Sequence, residues 1–136
     1  MLKPEIVRAL NRKTNKKKLA KECMTLWAKI IKLRAGEVCE YPGCNKTSNL
    51  NAHHIFTRAK TSTRYDVENG MCLCPTHHTL GADGAHRDPE FKDIIVKNGV
   101  RTEAFYRKLR LKAFTPQKVD LEIELLYLNS KLKECQ

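Results

Sequence analysis

Residues 50–56 read LNAHHIF and residues 69–80 read NGMCLCPTHHTL. The short apolar runs at 50–56 and 69–74 suit two strands. The stretch between them, TRAKTSTRYDVE (57–68), is polar and reads as a connection. Pro75 fits the first turn of a helix opening with THHTL, and Gly81 and Gly84 end it. The order is therefore strand, loop, strand, helix. His53 and His54 are neighbours on a strand and must point to opposite faces. His78 follows His77 on a helix and is turned from it by about 100°. Four of the five histidines fall in this block, a density that points to chemistry rather than packing.

Upstream, residues 2–35 read as helical. Leu19, Cys23, Leu26, Ile30 and Leu33 recur at steps of three and four, Trp27 and Ile31 widen the stripe, and Gly36 is a natural stop. Residues 1–15 either continue this helix or form a short one of their own. EVCEYPGCNKTSNL (37–50) is rich in turn formers and reads as a loop around two cysteines. Downstream, Asp88 is expected to cap a helix with Pro89 at its first position, running to Asn98-Gly99. Thr102 is expected to cap EAFYRKLRLKA, and Thr115-Pro116 to start a last helix with Leu121, Leu125, Leu128 and Leu132 as its stripe. The expected fold class is α+β, a small ββα core with a metal-binding loop and helices on either side. Its expected divisions are a basic helical arm (1–36), the core (37–99) and C-terminal helices (100–136).

The chain has 136 residues and carries 41% hydrophobic and 30% charged side chains. That excludes a membrane-embedded protein and a large two-domain enzyme. Residues 1–13 show no apolar run with a small-residue cleavage site, so a cytoplasmic protein is expected. The net charge is +11. Residues 1–35 hold eleven Lys/Arg against two Glu, a net of +9. A basic arm on a nearly neutral body points to a polyanion, most often nucleic acid. Lys16, Lys17 and Lys18 on the arm are candidate DNA contacts, alternatively a solvated helix face.

Six cysteines in a chain of this kind, with histidines beside the later ones, favour metal binding over disulfides. Cys39-x4-Cys44 and Cys74-x2-His77 are two close pairs of soft or borderline ligands, suited to a tetrahedral structural zinc. Cys72 competes with Cys74, since alternation puts both on one strand face. Cys23 and Cys135 lie in helical patterns away from the cluster and are read as a core residue and a tail thiol. A second metal can sit between His53 and His78, leaving His54 free to act as a base.

NAHHIF with ENGMCLCPTHH resembles the HNH endonuclease motif, the ββα-metal finger. LWAKIIKLRAGEVCEYPGC, HHIFTRAKTSTRYDVENGMCLC, AHRDPEFKDII and FYRKLRLKA together resemble a group of small phage HNH proteins related to the lambda NinG/Rap recombination-accessory type. The likeness covers residues 24–113. It implies that His54 deprotonates water, that Asn69 holds the loop before its strand and orients the His54 ring through a backbone contact, and that His53 and His78 hold a catalytic divalent ion (Mg, Mn, Ni, Co or Zn). His77 stands where a second cysteine is usual in the zinc pair. His86 is open between a third metal ligand or phosphate contact and a helix cap, because GADG (81–84) lengthens the gap before it. Arg58, Lys60 and Arg64 in the connection are expected to grip phosphates. The implied activity is metal-dependent hydrolysis of DNA, as a nick or a double-strand cut, in phage recombination or packaging. Implied partners are DNA and phage recombination or terminase proteins, with the chain a monomer or a dimer. The rival reading is a non-catalytic zinc module that binds nucleic acid within a phage DNA-processing complex.

Overall fold

The computed structural model describes all residues, Met1–Gln136. Its centre is a two-stranded antiparallel sheet of β1 (Asn51–His54) and β2 (Gly70–Leu73). His53 pairs with Met71 and His54 with Gly70. Four helices surround it: α1 (Pro4–Arg34), α2 (Phe91–Lys97), α3 (Glu103–Ala113) and α4 (Leu121–Glu134). This is the expected α+β arrangement. No helix is long and apolar enough to cross a membrane.

The ladder divides the core into two halves, as strand alternation requires. On one face Cys72 packs with Cys23, Trp27, Ile30 and Ile31 of α1 and Leu128 of α4. On the other, Met71 and Leu73 pack with Phe91 and Ile95 of α2 and Tyr106 of α3. Cys74 belongs to this second half. Cys72 and Cys74 therefore do not share a face: β2 ends at Leu73, and Cys74 lies beyond the ladder. Gly70 is where α1 crosses the ladder. A Cβ there would meet Ile31 Cδ1 at 2.2 Å, so only glycine permits this approach.

α1 is one continuous helix with Pro4 at its start, and no separate short helix precedes it. Everything up to Lys18 is exposed, and partial burial begins at Leu19. The buried seam runs through Cys23, Trp27, Ile30 and Ile31, while Leu26 and Leu33 lie at its half-buried margin. Gly36 ends the helix with φ +69°, as expected.

Other boundaries differ from expectation. Asn69 lies in a 3₁₀ turn (Val67–Asn69) just before β2 rather than on the strand. THHTL is a π-helical turn (Thr76–Leu80), closed by Gly81 N–H donating to the Thr76 carbonyl at 2.8 Å. Asp88 does not cap α2. Its Oδ1 accepts from Glu90 N–H in a local turn, and the helix starts at Phe91. α4 starts at Leu121, not at Thr115-Pro116. Asp120 caps it by accepting from the N–H groups of Glu122 and Ile123.

Candidate metal and catalytic centre

Two clusters flank the π-helical turn, one for each of its consecutive histidines. The first brings together Cys39, Cys44, Cys74 and His77, with all ligand atoms within 4.8 Å of one another. The Tyr41–Cys44 turn, with Gly43 at φ +79°, aims both loop sulfurs at one point. Cys44 Sγ is 4.0 Å from Cys74 Sγ, and His77 Nδ1 is 3.3 Å from Cys74 Sγ and 3.7 Å from Cys39 Sγ. A tetrahedral zinc separates two thiolates by about 3.8 Å and a thiolate from an imidazole by about 3.5 Å, given metal–ligand bonds of about 2.3 and 2.0 Å. The donor set and the spacing both fit such an ion, and the cluster can hold one. Cys72 is not part of it.

The surroundings of this cluster suit a metal as well. His77 Nε2 meets Asp83 Oδ2 at 3.1 Å, the carboxylate–histidine arrangement that orients a ligating ring. The Tyr41 ring stacks on His77 at 3.9 Å. Burial pushes the Cys39 thiol up to about 12. Burial also works against ionisation of Cys74. There it is outweighed by hydrogen bonds from the His77 backbone and from the thiols of Cys39 and Cys44, and the net shift is downward. The loop is tied to the sheet by Glu40. Its N–H donates to the Cys72 carbonyl, its Oε2 accepts from Cys72 N–H at 2.7 Å, and its Oε1 pairs with Arg101 at 2.9 Å.

The second cluster is His53, His78 and His86, again with ligand atoms within 4.8 Å. The longer GADG loop does not exclude His86. Its backbone N–H donates to the His78 carbonyl, and the two Nε2 atoms lie 3.1 Å apart. His86 does not cap a helix. His53 Nδ1 is the only buried side-chain nitrogen or oxygen without a partner. Burial, reinforced by the charges of His78, His86 and His54, pushes the His53 pKa down to about 3. Burial also lowers His78, with His86 adding to it. Neutral rings with an orphaned nitrogen among them are the donor set a borderline divalent cation takes.

His54 points to the opposite face. Its ring stacks on Trp27 at 3.8 Å and 15°. Its Nε2 meets the Arg64 carbonyl at 2.9 Å. A carbonyl only accepts, so Nε2 carries the proton and the lone pair is on Nδ1. Burial lowers the His54 pKa; the Arg64 carbonyl opposes that, and the charges of Arg58 and Arg64 add to it. Trp27 is itself fixed, its indole N–H donating to the Asp66 carbonyl at 2.9 Å. The Asn69 side chain makes no hydrogen bond to His54. Its Nδ2 donates to the carbonyls of Phe56 and Thr63, both at 2.9 Å, and its Oδ1 accepts from Phe56 N–H at 2.7 Å. It thus clamps the connection one residue before the Arg64 carbonyl that His54 uses.

The basic candidates separate into groups. Lys16 and Lys17 line one hollow with Lys13, Arg64 and Lys118. Lys18 does not join that hollow. Arg64 spends its Nε on the Arg58 carbonyl at 2.7 Å. Lys60 lies over the Phe114 ring at 4.0 Å. Sequence reasoning missed Trp27 and Asp83 as site residues, and also Arg107 and Arg110 of α3, which line a cavity with His53. A signal existed for the arginines, two cations three apart on one helix. The other two depend on distant partners.

Residues 35–80 match a family model described as HNH endonuclease. The matched segment spans the cysteine loop, both strands and the π-helical turn, and stops before His86. It supports the HNH family for this part of the chain and, at the level of that family, nuclease chemistry with metal binding. Comparisons with curated proteins and with solved structures found no match.

Proposed function

We propose that the chain is a metal-dependent endonuclease that hydrolyses DNA phosphodiester bonds, with His54 as general base. The observation that carries this reading is the division of labour across β1: a three-histidine cluster with an orphaned nitrogen on one face, and a lone oriented histidine on the other. In-line displacement needs the nucleophile and the leaving group on opposite sides of phosphorus, so base and cation belong on different sides of the strand.

His54 Nδ1 takes the proton as the water oxygen attacks phosphorus and the bond to the 3′ oxygen breaks. The Arg64 carbonyl and Trp27 hold the ring in that tautomer and plane. Asn69 is a positioning residue, acting through the connection. A divalent ion on His53, His78 and His86 would supply positive charge to the phosphoryl and leaving oxygens. Zinc on Cys39, Cys44, Cys74 and His77 would staple a loop that has little core of its own. Lys16 and Lys17 with Arg64 take phosphates on the His54 side, with Arg58 and Lys60 nearby in the connection, and of the expected arm (1–36) the exposed residues 1–18 add affinity while the rest packs in the core. The further setting we propose, on the sequence resemblance, is phage DNA recombination or packaging.

The test is nicking of supercoiled plasmid by zinc-loaded protein, with Mg²⁺ or Mn²⁺ added or withheld. Nicking should require the added ion. His54→Ala should lose about 10²–10⁴-fold in rate while DNA and metal binding persist. DNA binding without cleavage under every divalent ion would favour the accessory-module reading instead.

A further inference from the structure

Between His53 and α3 lies a cavity of about 400 Å³, at the small end of the range for ligand sites. Ile55, Phe56, Phe91 and Tyr106 give it an apolar, aromatic floor, and His53 of the three-histidine cluster forms one wall. Arg107 and Arg110 stand at its rim, both exposed and neither in an ion pair or hydrogen bond. Arg110 is held over the Phe114 ring at 4.6 Å, and the same ring carries Lys60. The other charged groups at the cavity are already engaged. Lys92 pairs with Glu103 at 3.2 Å, and Asp88 Oδ1 accepts from Glu90 N–H.

We propose that this cavity is a nucleotide subsite that takes one unpaired DNA base beside the cleavage centre. The reading rests on the endonuclease function above and names its substrate class. An apolar, aromatic floor suits the faces of a base. Two free guanidiniums at the mouth suit the phosphate on its far side, and the histidine cluster lies where the neighbouring phosphate would reach. A base stacked within a duplex cannot enter without leaving the helix, and an already unpaired base avoids that cost. DNA with a bulged or mismatched nucleotide next to the cut is therefore the better ligand. A smooth duplex meets only the rim.

Binding is measured on full-length, zinc-loaded His54→Ala protein, so that no strand is cut. The probes are an oligonucleotide duplex with a single bulged 2-aminopurine and its fully paired counterpart. The bulged duplex should bind about tenfold more tightly, the size of one base stacked on aromatic side chains, with a change in 2-aminopurine emission. Ala85→Leu, which narrows the cavity, and the Arg107→Ala/Arg110→Ala pair should each remove that preference, with paired-duplex binding unchanged for Ala85→Leu. Equal binding of bulged and paired DNA overturns the subsite. So does a preference that survives both variants, because the base would then sit elsewhere. These readouts need no cleavage, so a failure of the nuclease reading stays distinct from a failure of the subsite.

Discussion

Asn69→Ala is the substitution for which the structure gives the most definite magnitude. Asn69 is fully buried and spends its amide on three hydrogen bonds. Alanine leaves the Phe56 N–H, the Phe56 carbonyl and the Thr63 carbonyl without that partner. A buried polar group left unpaired costs about 1–3 kcal/mol. Phe56 is half-buried, so water reaches its two groups and each belongs at the low end; the Thr63 carbonyl still accepts from Asp66 N–H at 3.2 Å, so its loss is small as well. The sum is about 2–3 kcal/mol, a large share of the roughly 5–15 kcal/mol that holds a domain together. Thermal unfolding with zinc present should fall by roughly 6–12 °C. Asn69→Asp should be no better, because it keeps the acceptor and sets an oxygen against two carbonyls. Nicking at saturating DNA should also slow, by up to about 100-fold, since the clamp sits one residue from the carbonyl that orients His54. A melting point within a few degrees of the parent would show that the clamp does not hold the connection. A large destabilisation with an unchanged kcat would show that the connection does not position the base.

Trp27→Phe keeps an aromatic ring but loses the indole N–H; kcat should fall roughly tenfold with KM little changed, less than the loss a 1 Å misplacement can cause, and an unaltered kcat would remove Trp27 from the positioning set. Cys39→Ala should lose one zinc per chain by metal analysis and unfold at lower temperature, and unchanged zinc content would mean other ligands. Asp83→Ala should keep the zinc stoichiometry but weaken affinity about 10–100-fold in a chelator competition, because it removes only the partner of His77. Deleting residues 1–15 should weaken DNA binding and flatten its dependence on log salt. Melting should hardly change, since every residue removed is exposed; an unaltered salt slope would make those charges a solvated face only.

The hairpin was legible because its information is local. The short apolar run at 69–74, the adjacent histidines at 53 and 54 and the paired cysteine spacings each fix geometry within a few residues. The misplaced helix starts have a local cause too. An aspartate that accepts from an N–H two residues on makes the same sequence mark in a turn, as at Asp88, and at a true cap, as at Asp120. Both Asp88-Pro89 and Thr115-Pro116 look like helix openings, and neither is one. The roles of Trp27 and Asp83 were not legible for a different reason. Trp27 stacks on His54 and is held by the Asp66 carbonyl, 39 residues away, and without those contacts it is only another apolar residue on a helical stripe. Asp83 was hidden inside an insertion that, in the sequence, only made the place of His86 uncertain. In the structure the same loop delivers Asp83 to His77 and His86 to His78.

The placement of the candidate site depends on the register of a very short ladder. Shifting β1 by one residue would exchange the faces of His53 and His54, putting the wrong ring against the histidine cluster. Four residue pairs alone specify register weakly. Three contacts outside the ladder fix it. Gly70, opposite His54, lies so close beneath α1 that no side chain fits there, and the neighbouring pair Ala52–Cys72 faces the same helix. Glu40 binds the backbone of Cys72 from the open edge of β2. Asn69 grips Phe56 just past the end of β1 and so ties the two chains where the ladder opens. Each contact joins the sheet to a different element: α1, the cysteine loop and the connection. A slip of β1 must therefore break the Asn69 grip on Phe56 and move Ala52 off α1, while Gly70 and Glu40 hold β2 in place. The residues that hold the register are in this way the same ones that hold His54 on one face and the three histidines on the other, and the stability of the hairpin and the alignment of the site become a single property of the chain.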